Sequence, residues 1–568
     1  MRPAFLHPAR SLGGPAAAVA ARTLTVAAVA SALLAAGALS AQTVPAAPPD
    51  AALRVDSVFA AWDSTTTPGC AVAASVDGLT VLSRAYGMAD LEHGIPNRTG
   101  TVFEGGSLSK QITAATVVLL ALDGRLDLDG DIRRWVPEVP DYEHVITLRH
   151  LLNHTSGLRD WGSVASISGW PREERSHTHA HALEIIAGQR ALNFVPGTEY
   201  SYSNTGYTLL TLAAERAGGA PLRELSERLV FAPVGMRDTQ WRDDYRRIVP
   251  GRSSAYRGGP GFWEIDRPIE HVYGNGGLLT TVHDLLLWNR AIDERRFGPD
   301  FHREMHRTGV LTDGSDIVYA SGLRVEDFAG VPSVTHTGAT AGYRAFLGRY
   351  PEQRLSVAML CNASNVPTGG SGGAVARILL GEAATDPPVP DAVAVPEGTL
   401  RSYAGLYREP VTGEPMEWSL EDGALVMDGR TALIPLSATE FATGPSDTRY
   451  VVVPGQGGRP TVREEGWAHM GRTFEPVEAW TPDTAFRARV EGVWWSAEAA
   501  TTLQVEDDGG HLVLRRAPDW ERSLEPLYPG AFDAGGWIVR LLPGADGVDE
   551  LSVSLGRVYD MRFRRDGG

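Results

Sequence analysis

Ser107 and Lys110 stand three residues apart in "VFEGGSLSKQITAATVVLLALDGRL", and Lys110 is the single lysine of a 568-residue chain that holds 52 Lys and Arg together. Arginine therefore serves wherever a bare positive charge is wanted. Position 110 asks for something a guanidinium cannot do, and that is to lose its proton: an ammonium deprotonates when buried or set near other cations. A serine hydroxyl is a poor nucleophile until a neighbouring base takes its proton. Residues three apart on a helix share a face, so a neutral Lys110 can be that base for Ser107. A helix N-terminus adds free N–H groups beside the serine, which suit an oxyanion. Gly105 and Gly106 leave room for a substrate. Taken alone, the pair also fits an ordinary helix surface.

Two further stretches carry reactive side chains. In "YSYSNTGYTLL", Tyr202 and Asn204 straddle a serine before an apolar helix. A phenol can relay protons with a lysine, and an amide can hold that lysine or a substrate carbonyl. The tripeptide is equally at home as a helix cap. In "SVTHTGATAG", a strand followed by glycines carries His336, Thr337, Gly338 and Ala339, and a backbone N–H from such a strand can be a second oxyanion donor. It also fits a plain turn.

In this order the three elements resemble the serine β-lactamase and penicillin-binding-protein superfamily, in its class C-like branch. The words "PGCAVAASVDG", "ITLRHLLNHTSGL", "FAPVGMRDT" and "GGLLTTVHDLLLWN" extend the resemblance over roughly residues 55–380. The resemblance implies that Ser107 is acylated, that Lys110 and Tyr202 share the proton transfers, and that Asn204 orients. Ser107 and Ala339 would give the oxyanion N–H groups, on a substrate-binding strand that includes His336, Thr337 and Gly338. One position departs from the pattern. β-Lactamases and DD-peptidases usually carry Lys-Thr-Gly in the third motif, and His336, mostly neutral near pH 7, replaces that fixed cation. This weakens the case for β-lactams and D-Ala-D-Ala ends. A His-x-Gly variant followed by two small barrels is similar to the D-stereospecific aminopeptidases, in which one barrel reaches toward the catalytic cleft.

The expected function is a serine hydrolase working through an acyl-enzyme on Ser107, of the peptidase or D-aminopeptidase-like amidase kind, acting on a small molecule or peptide. A short-chain esterase and a β-lactamase or DD-carboxypeptidase are alternatives within the family. A penicillin sensor or ligand-binding protein that is acylated without turnover is the alternative from another class. The chemistry calls for no cofactor and no metal. The alternating His177, His179 and His181 of "SHTHAHAL" lack a spaced carboxylate or cysteine partner and read as no metal site.

The elements that must position these residues follow from periodicity. A short entry helix is expected over 51–63, then two apolar strands turning at Asp77–Gly78. Leu108, Ile112, Ala115, Leu119 and Leu122 predict a helix with one apolar stripe ending at Gly124. Thr147 is a candidate N-cap and Gly157 a candidate stop for the next helix. Strands return in "SVTHTGATAG", "YRAFLGRYPE" and "RLSVAMLCN", so one antiparallel sheet is left and rejoined around a helical region, an α/β (α+β) β-lactamase/transpeptidase-like domain over 51–382. A proline-rich linker (383–398) leads to two similar stretches, 399–480 and 485–568, each read as a lipocalin-like antiparallel barrel. Trp494 and Trp495 open the second copy and read as barrel core or rim.

Arg2, Arg10 and Arg22 precede the apolar run Leu24–Leu39, with small residues after it, so residues 1–41 read as an export signal and the protein as secreted or periplasmic without a stable membrane anchor. The net charge of −17 argues against a nucleic-acid partner. Cys70 and Cys361, far apart in sequence and without metal-ligand spacing, read as two separate buried thiols, with a disulfide in an oxidising compartment as the alternative.

Overall fold

The computed structural model describes residues 48–446, 448–455, 458–466 and 471–565; the export signal expected over 1–41 lies outside them. The first described helix, α1 (Ala51–Phe59), buries Ala51, Val55 and Phe59 at helical spacing. Strands β1 (Cys70–Val76) and β2 (Leu79–Tyr86) follow, joined by Asp77 and Gly78 at φ 53° and 72°, the left-handed pair that a two-residue hairpin requires.

The chain then leaves the sheet for a helical region built from α2 (Ser109–Leu122), α3 (Leu148–Leu152), α4 (Trp161–Ile167), α5 (Asn204–Gly218) and α6 (Val282–Asp293). It returns as β3 (Arg324–Phe328), β4 (Val331–Thr340), β5 (Tyr343–Tyr350) and β6 (Leu355–Cys361). The six strands form one antiparallel sheet in the order β3-β4-β5-β6-β1-β2, so the last strand pairs with the first. Alternate residues of β1 point to opposite faces. Ala71 and Ala73 meet the helical region, whereas Val72 and Ala74 pack with α1 and with α7 (Thr368–Leu380).

Three expectations change. Cys70 and Cys361 are not separate thiols: they lie opposite each other on the β1–β6 ladder and form a disulfide. The 291 residues between them conceal a contact that sheet order creates. Helix α2 has no single apolar stripe. Every residue from Ser109 to Val118 is buried, while Leu122 of the supposed stripe is exposed; a helix buried on all sides is the spine of its domain rather than its cover. Thr147 does cap α3, accepting from the His150 N–H at 3.1 Å, but the helix ends at Asn153, before Gly157.

Residues 384–396 carry no regular structure. Beyond them, a short helix (Glu397–Tyr403) opens a nine-stranded antiparallel sheet whose first strand, Gly405–Arg408, pairs with both the second and the last in a nearly closed barrel. Its seam falls at buried Leu433, which separates two short strands and donates its N–H to the Leu425 carbonyl at 2.8 Å. The second barrel repeats the plan after the helix Thr484–Val490, with its seam at Leu524, bonded to Leu512 O at 2.8 Å. Trp494 sits in its core and Trp495, 43% exposed, on its outside. The closing strands are β7 (Asp549–Leu555) and β8 (Val558–Arg565).

This second barrel is docked on the front domain through α4, whose Val164 and Ile167 join the barrel's own core cluster. Arg159 pairs with Glu498 at 2.8 Å, both largely buried. Asn193 donates to the Arg557 carbonyl at 3.0 Å and accepts the Tyr559 N–H at 2.9 Å. The turn between β7 and β8 is thereby carried to the mouth of the helical region. Among the described residues no helix is long and apolar enough to cross a membrane.

Candidate active site

Ser107 lies in a 3-10 turn, Gly106–Leu108, immediately before α2. Strand β4 presses against this turn so closely that side chains are excluded: a Cβ on Gly338 would stand 2.0 Å from Gly105 O, and one on Gly106, at φ 51°, would stand 2.7 Å from Ala339 N. Two glycines thus let two backbones touch, and they bring the Ala339 N–H beside the residue that precedes the serine. The backbones of the two expected oxyanion donors, Ser107 and Ala339, are thus neighbours.

Lys110, one helical turn on, is fully buried. Its Nζ donates to Asn204 Oδ1 at 2.9 Å and to the Asn275 carbonyl at 2.6 Å, and lies 3.3 Å from Ser107 Oγ. Both oxygens can only accept, so a neutral amine spends its two N–H groups on them and turns its lone pair to the serine hydroxyl. Burial pushes the ammonium well below its ordinary range, and the nearby guanidinium groups of Arg557 and Arg172 push the same way against a smaller opposing pull from Asp160. The environment favours the form that can accept a proton.

Tyr202 completes the cluster, with its ring 4.8 Å from Lys110 Nζ. Its hydroxyl faces Ser107 without a hydrogen bond of good geometry. Burial raises the phenol above its usual range more than Ser107 and Arg557 lower it, so the hydroxyl keeps its proton and has one to give. Asn204 is held by its own backbone, whose N–H donates to Asp160 Oδ2 at 2.6 Å; the other Asp160 oxygen caps α4 through Gly162 and Ser163 N–H. Arg557, from the β7–β8 turn, stacks 4.8 Å from the Tyr202 ring and reaches within 3.9 Å of Asp160.

His336 is buried on β4. Its Nδ1 donates to Thr337 O at 2.6 Å and its Nε2 accepts from the Tyr319 hydroxyl at 2.9 Å. Burial and the neighbouring Lys110 push its pKa down to about 3, so it is neutral and its two nitrogens are already engaged. Thr337 and Ala339 alternate with it and face outward. Ser107, Tyr202, Asn204, His336, Thr337 and Ala339 line one cavity of about 510 Å³, and Arg557 lines it with them.

Residues 55–381 match the family model described as β-lactamase. The chain belongs to the β-lactamase family. A D-aminopeptidase from Cereibacter sphaeroides is 31% identical over 521 residues, 88% of this chain and 92% of that protein. A D-aminopeptidase from Gluconobacter oxydans is 33% identical over 301 residues, 52% of this chain and 56% of that protein. A solved octameric penicillin-binding protein homologue from Pyrococcus abyssi, 20% identical with a TM-score of 0.50, covers 80% of this chain and 96% of its own length, and shows the same fold.

In this member of the β-lactamase family the eight residues singled out by sequence converge on one site, and four others join them unannounced. Asn275 contributes a main-chain carbonyl, which leaves no mark in residue types. His154 lies within "ITLRHLLNHTSGL" and Asp160 two residues beyond it; His154 Nδ1 accepts the Ser203 N–H at 3.2 Å and its ring lies 4.2 Å from that of Tyr202. Arg557 comes from the far barrel. His177 and His179 bond different carbonyls, Trp170 O and Tyr273 O, each at 2.9 Å, and the three alternating histidines do not converge.

Proposed function

We propose that this chain hydrolyses the amide bond behind an N-terminal D-amino acid, through an acyl-enzyme on Ser107. The observation that carries the proposal is the lone lysine, fully buried, bonded to the Asn204 and Asn275 oxygens and 3.3 Å from the Ser107 hydroxyl, in surroundings that push it toward its neutral form. Lys110 takes the hydroxyl proton as Oγ attacks the substrate carbonyl. The negative charge that develops on the carbonyl oxygen is held by the Ser107 and Ala339 N–H groups. The Tyr202 hydroxyl passes a proton to the departing amine and recovers one from Lys110, and the C–N bond breaks to leave an ester on Ser107. Water then attacks that ester, its proton returns through the same groups, and the acid leaves with Ser107 restored. Asn204 and the Asn275 carbonyl hold Lys110 in place throughout.

The two D-aminopeptidase relatives, one aligned through both barrels, support an amide over an ester as substrate. The net charge of −17 supports a small peptide over nucleic acid as partner. The Cys70–Cys361 disulfide supports export to an oxidising compartment, as the N-terminal sequence suggests.

Steady-state hydrolysis of D-alanine p-nitroanilide beside its N-acetylated twin, with Ser107→Ala protein as the blank, is the test. Turnover of the free amine well beyond one equivalent is expected, and Lys110→Arg should lose it as completely as Ser107→Ala. Silence on both anilides, with hydrolysis of p-nitrophenyl acetate intact, would replace the reading with an esterase. A single equivalent of product would make the protein a sensor.

A further inference from the structure

The cavity that holds Ser107 is lined by more charge than the chemistry of acyl transfer uses. Most of that charge is answered within the protein. Arg172 forms a two-pronged pair with Glu270, and Arg557 stands against Asp160. Glu173 and Arg267 are exposed at the rim. Two half-buried groups are different. Asp266 accepts no hydrogen bond and forms no ion pair through its carboxylate among the described residues. Arg344 spends only Nη1, on the carbonyls of Ala341 and Tyr343 at 2.7 Å each, which leaves its Nε and Nη2 edge without a protein partner.

These two charges influence one another yet do not meet as an ion pair. Their two segments are tied together through the backbone. Asp266 N–H donates to Ala255 O at 2.7 Å, and Asp266 O accepts from Gly342 N–H at 2.9 Å, two residues before Arg344 on the same hairpin that carries Ala339. An anion and a cation that do not pair with one another, both lining a cavity with a nucleophile in it, suit a molecule with the opposite charges at its two ends. An unpaired charge that is partly removed from water is a cost to the folded chain, and a bound counter-charge relieves it.

We infer that Asp266 and Arg344 are specificity residues, Asp266 receiving the free ammonium and Arg344 the free carboxylate of a zwitterionic short peptide, so that the preferred substrate is a dipeptide with both termini free. This rests on the reading of the site as a peptidase for a free N-terminus, and it adds the other end of the substrate and both receptors. An extended dipeptide spans about 7 Å, and a cavity of about 510 Å³ is of the size that takes a ligand of this class. The Nε and Nη2 edge of an arginine presents two parallel donors that match the two oxygens of a carboxylate. Burial works against both charges, raising the Asp266 carboxyl and lowering the Arg344 guanidinium, as expected for groups that await a partner.

The test uses Ser107→Ala protein, which binds without cleaving, titrated in a calorimeter with D-alanyl-glycine, D-alanyl-glycinamide, N-acetyl-D-alanyl-glycine and the doubly blocked compound. Amidation and acetylation should each weaken binding about tenfold or more. Adding Asp266→Asn should abolish the penalty for acetylation and keep that for amidation, and adding Arg344→Gln should do the reverse. Equal binding of all four compounds overturns the inference before any second substitution is made. Retention of the parent's ratios in both variants overturns it as well. Turnover by the protein with Ser107 in place is scored separately: the charge pattern without peptide cleavage would sink the aminopeptidase reading and leave the receptor standing.

Discussion

Arg557 comes to the Tyr202 ring from another domain, and its effect on Lys110 can be worked out from two distances. The Arg557 guanidinium and Lys110 Nζ each lie 4.8 Å from the centroid of the Tyr202 ring, so they are no further apart than about 9.6 Å, twice that distance. At that separation two positive charges repel by about 1.7 kcal/mol at an effective dielectric of 20 and by about 0.4 kcal/mol in water. The repulsion acts only on protonated Lys110, so it favours the neutral base. Replacing Arg557 by Gln removes it, lets Lys110 hold its proton to higher pH, and moves the acid limb of kcat/KM upward. At a fixed pH on that limb the variant should be slower by about twofold to twentyfold. The lower figure is the better guide, because Arg557 is 44% exposed and solvent screens it. Above the limb the two proteins should converge. Arg557→Lys, which keeps the charge, should keep the wild-type limb, and 1 M salt should shrink the difference. A loss of equal size at every pH, or a shift as large in Arg557→Lys, would refute the electrostatic argument and leave Arg557 a packing residue.

Two further outcomes follow from the geometry. Gly338→Ala places a Cβ 2.0 Å from Gly105 O, which must drive β4 away from the serine turn and take the Ala339 N–H with it; kcat should fall by about 10² to 10³, and a kcat within threefold of wild type would show that Ala339 is no oxyanion donor. Removing the disulfide with Cys70→Ala and Cys361→Ala should cost about 2–4 kcal/mol, seen by calorimetry as a lower Tm for the front domain with kcat unchanged, since both residues lie on the sheet face away from the helical region.

What could be read in advance divides by physics. Ser107, Lys110, Tyr202 and Asn204 were legible because the reaction demands those side-chain types, and the lysine because no other position in the chain uses one. The hairpin at Asp77–Gly78 and the two barrels were legible because turn chemistry and alternation are local. The contribution of Asn275 is a carbonyl that any residue would provide, so only the glycine-lined loop around it, and never its identity, could have pointed there. Arg557 looks like any other arginine until the barrel docks. The disulfide depends on sheet order, and α2 was misread because a stripe of leucines says nothing of the alanines and threonines that fill its other sides.

Asp160 receives the Asn204 N–H, caps the helix on which the second barrel rests, and donates its own N–H to the Arg557 carbonyl at 3.2 Å. One residue is therefore common to the seat of the barrel and to the support of Lys110, and the two equilibria cannot be independent. Whatever free energy a seated barrel adds to substrate binding, bound substrate must return to the seating of the barrel, because a coupling between two sites is reciprocal. A saturating peptide should then protect the β7–β8 turn from hydrogen exchange, and a partner that pries the barrel loose would act as an inhibitor without entering the cleft.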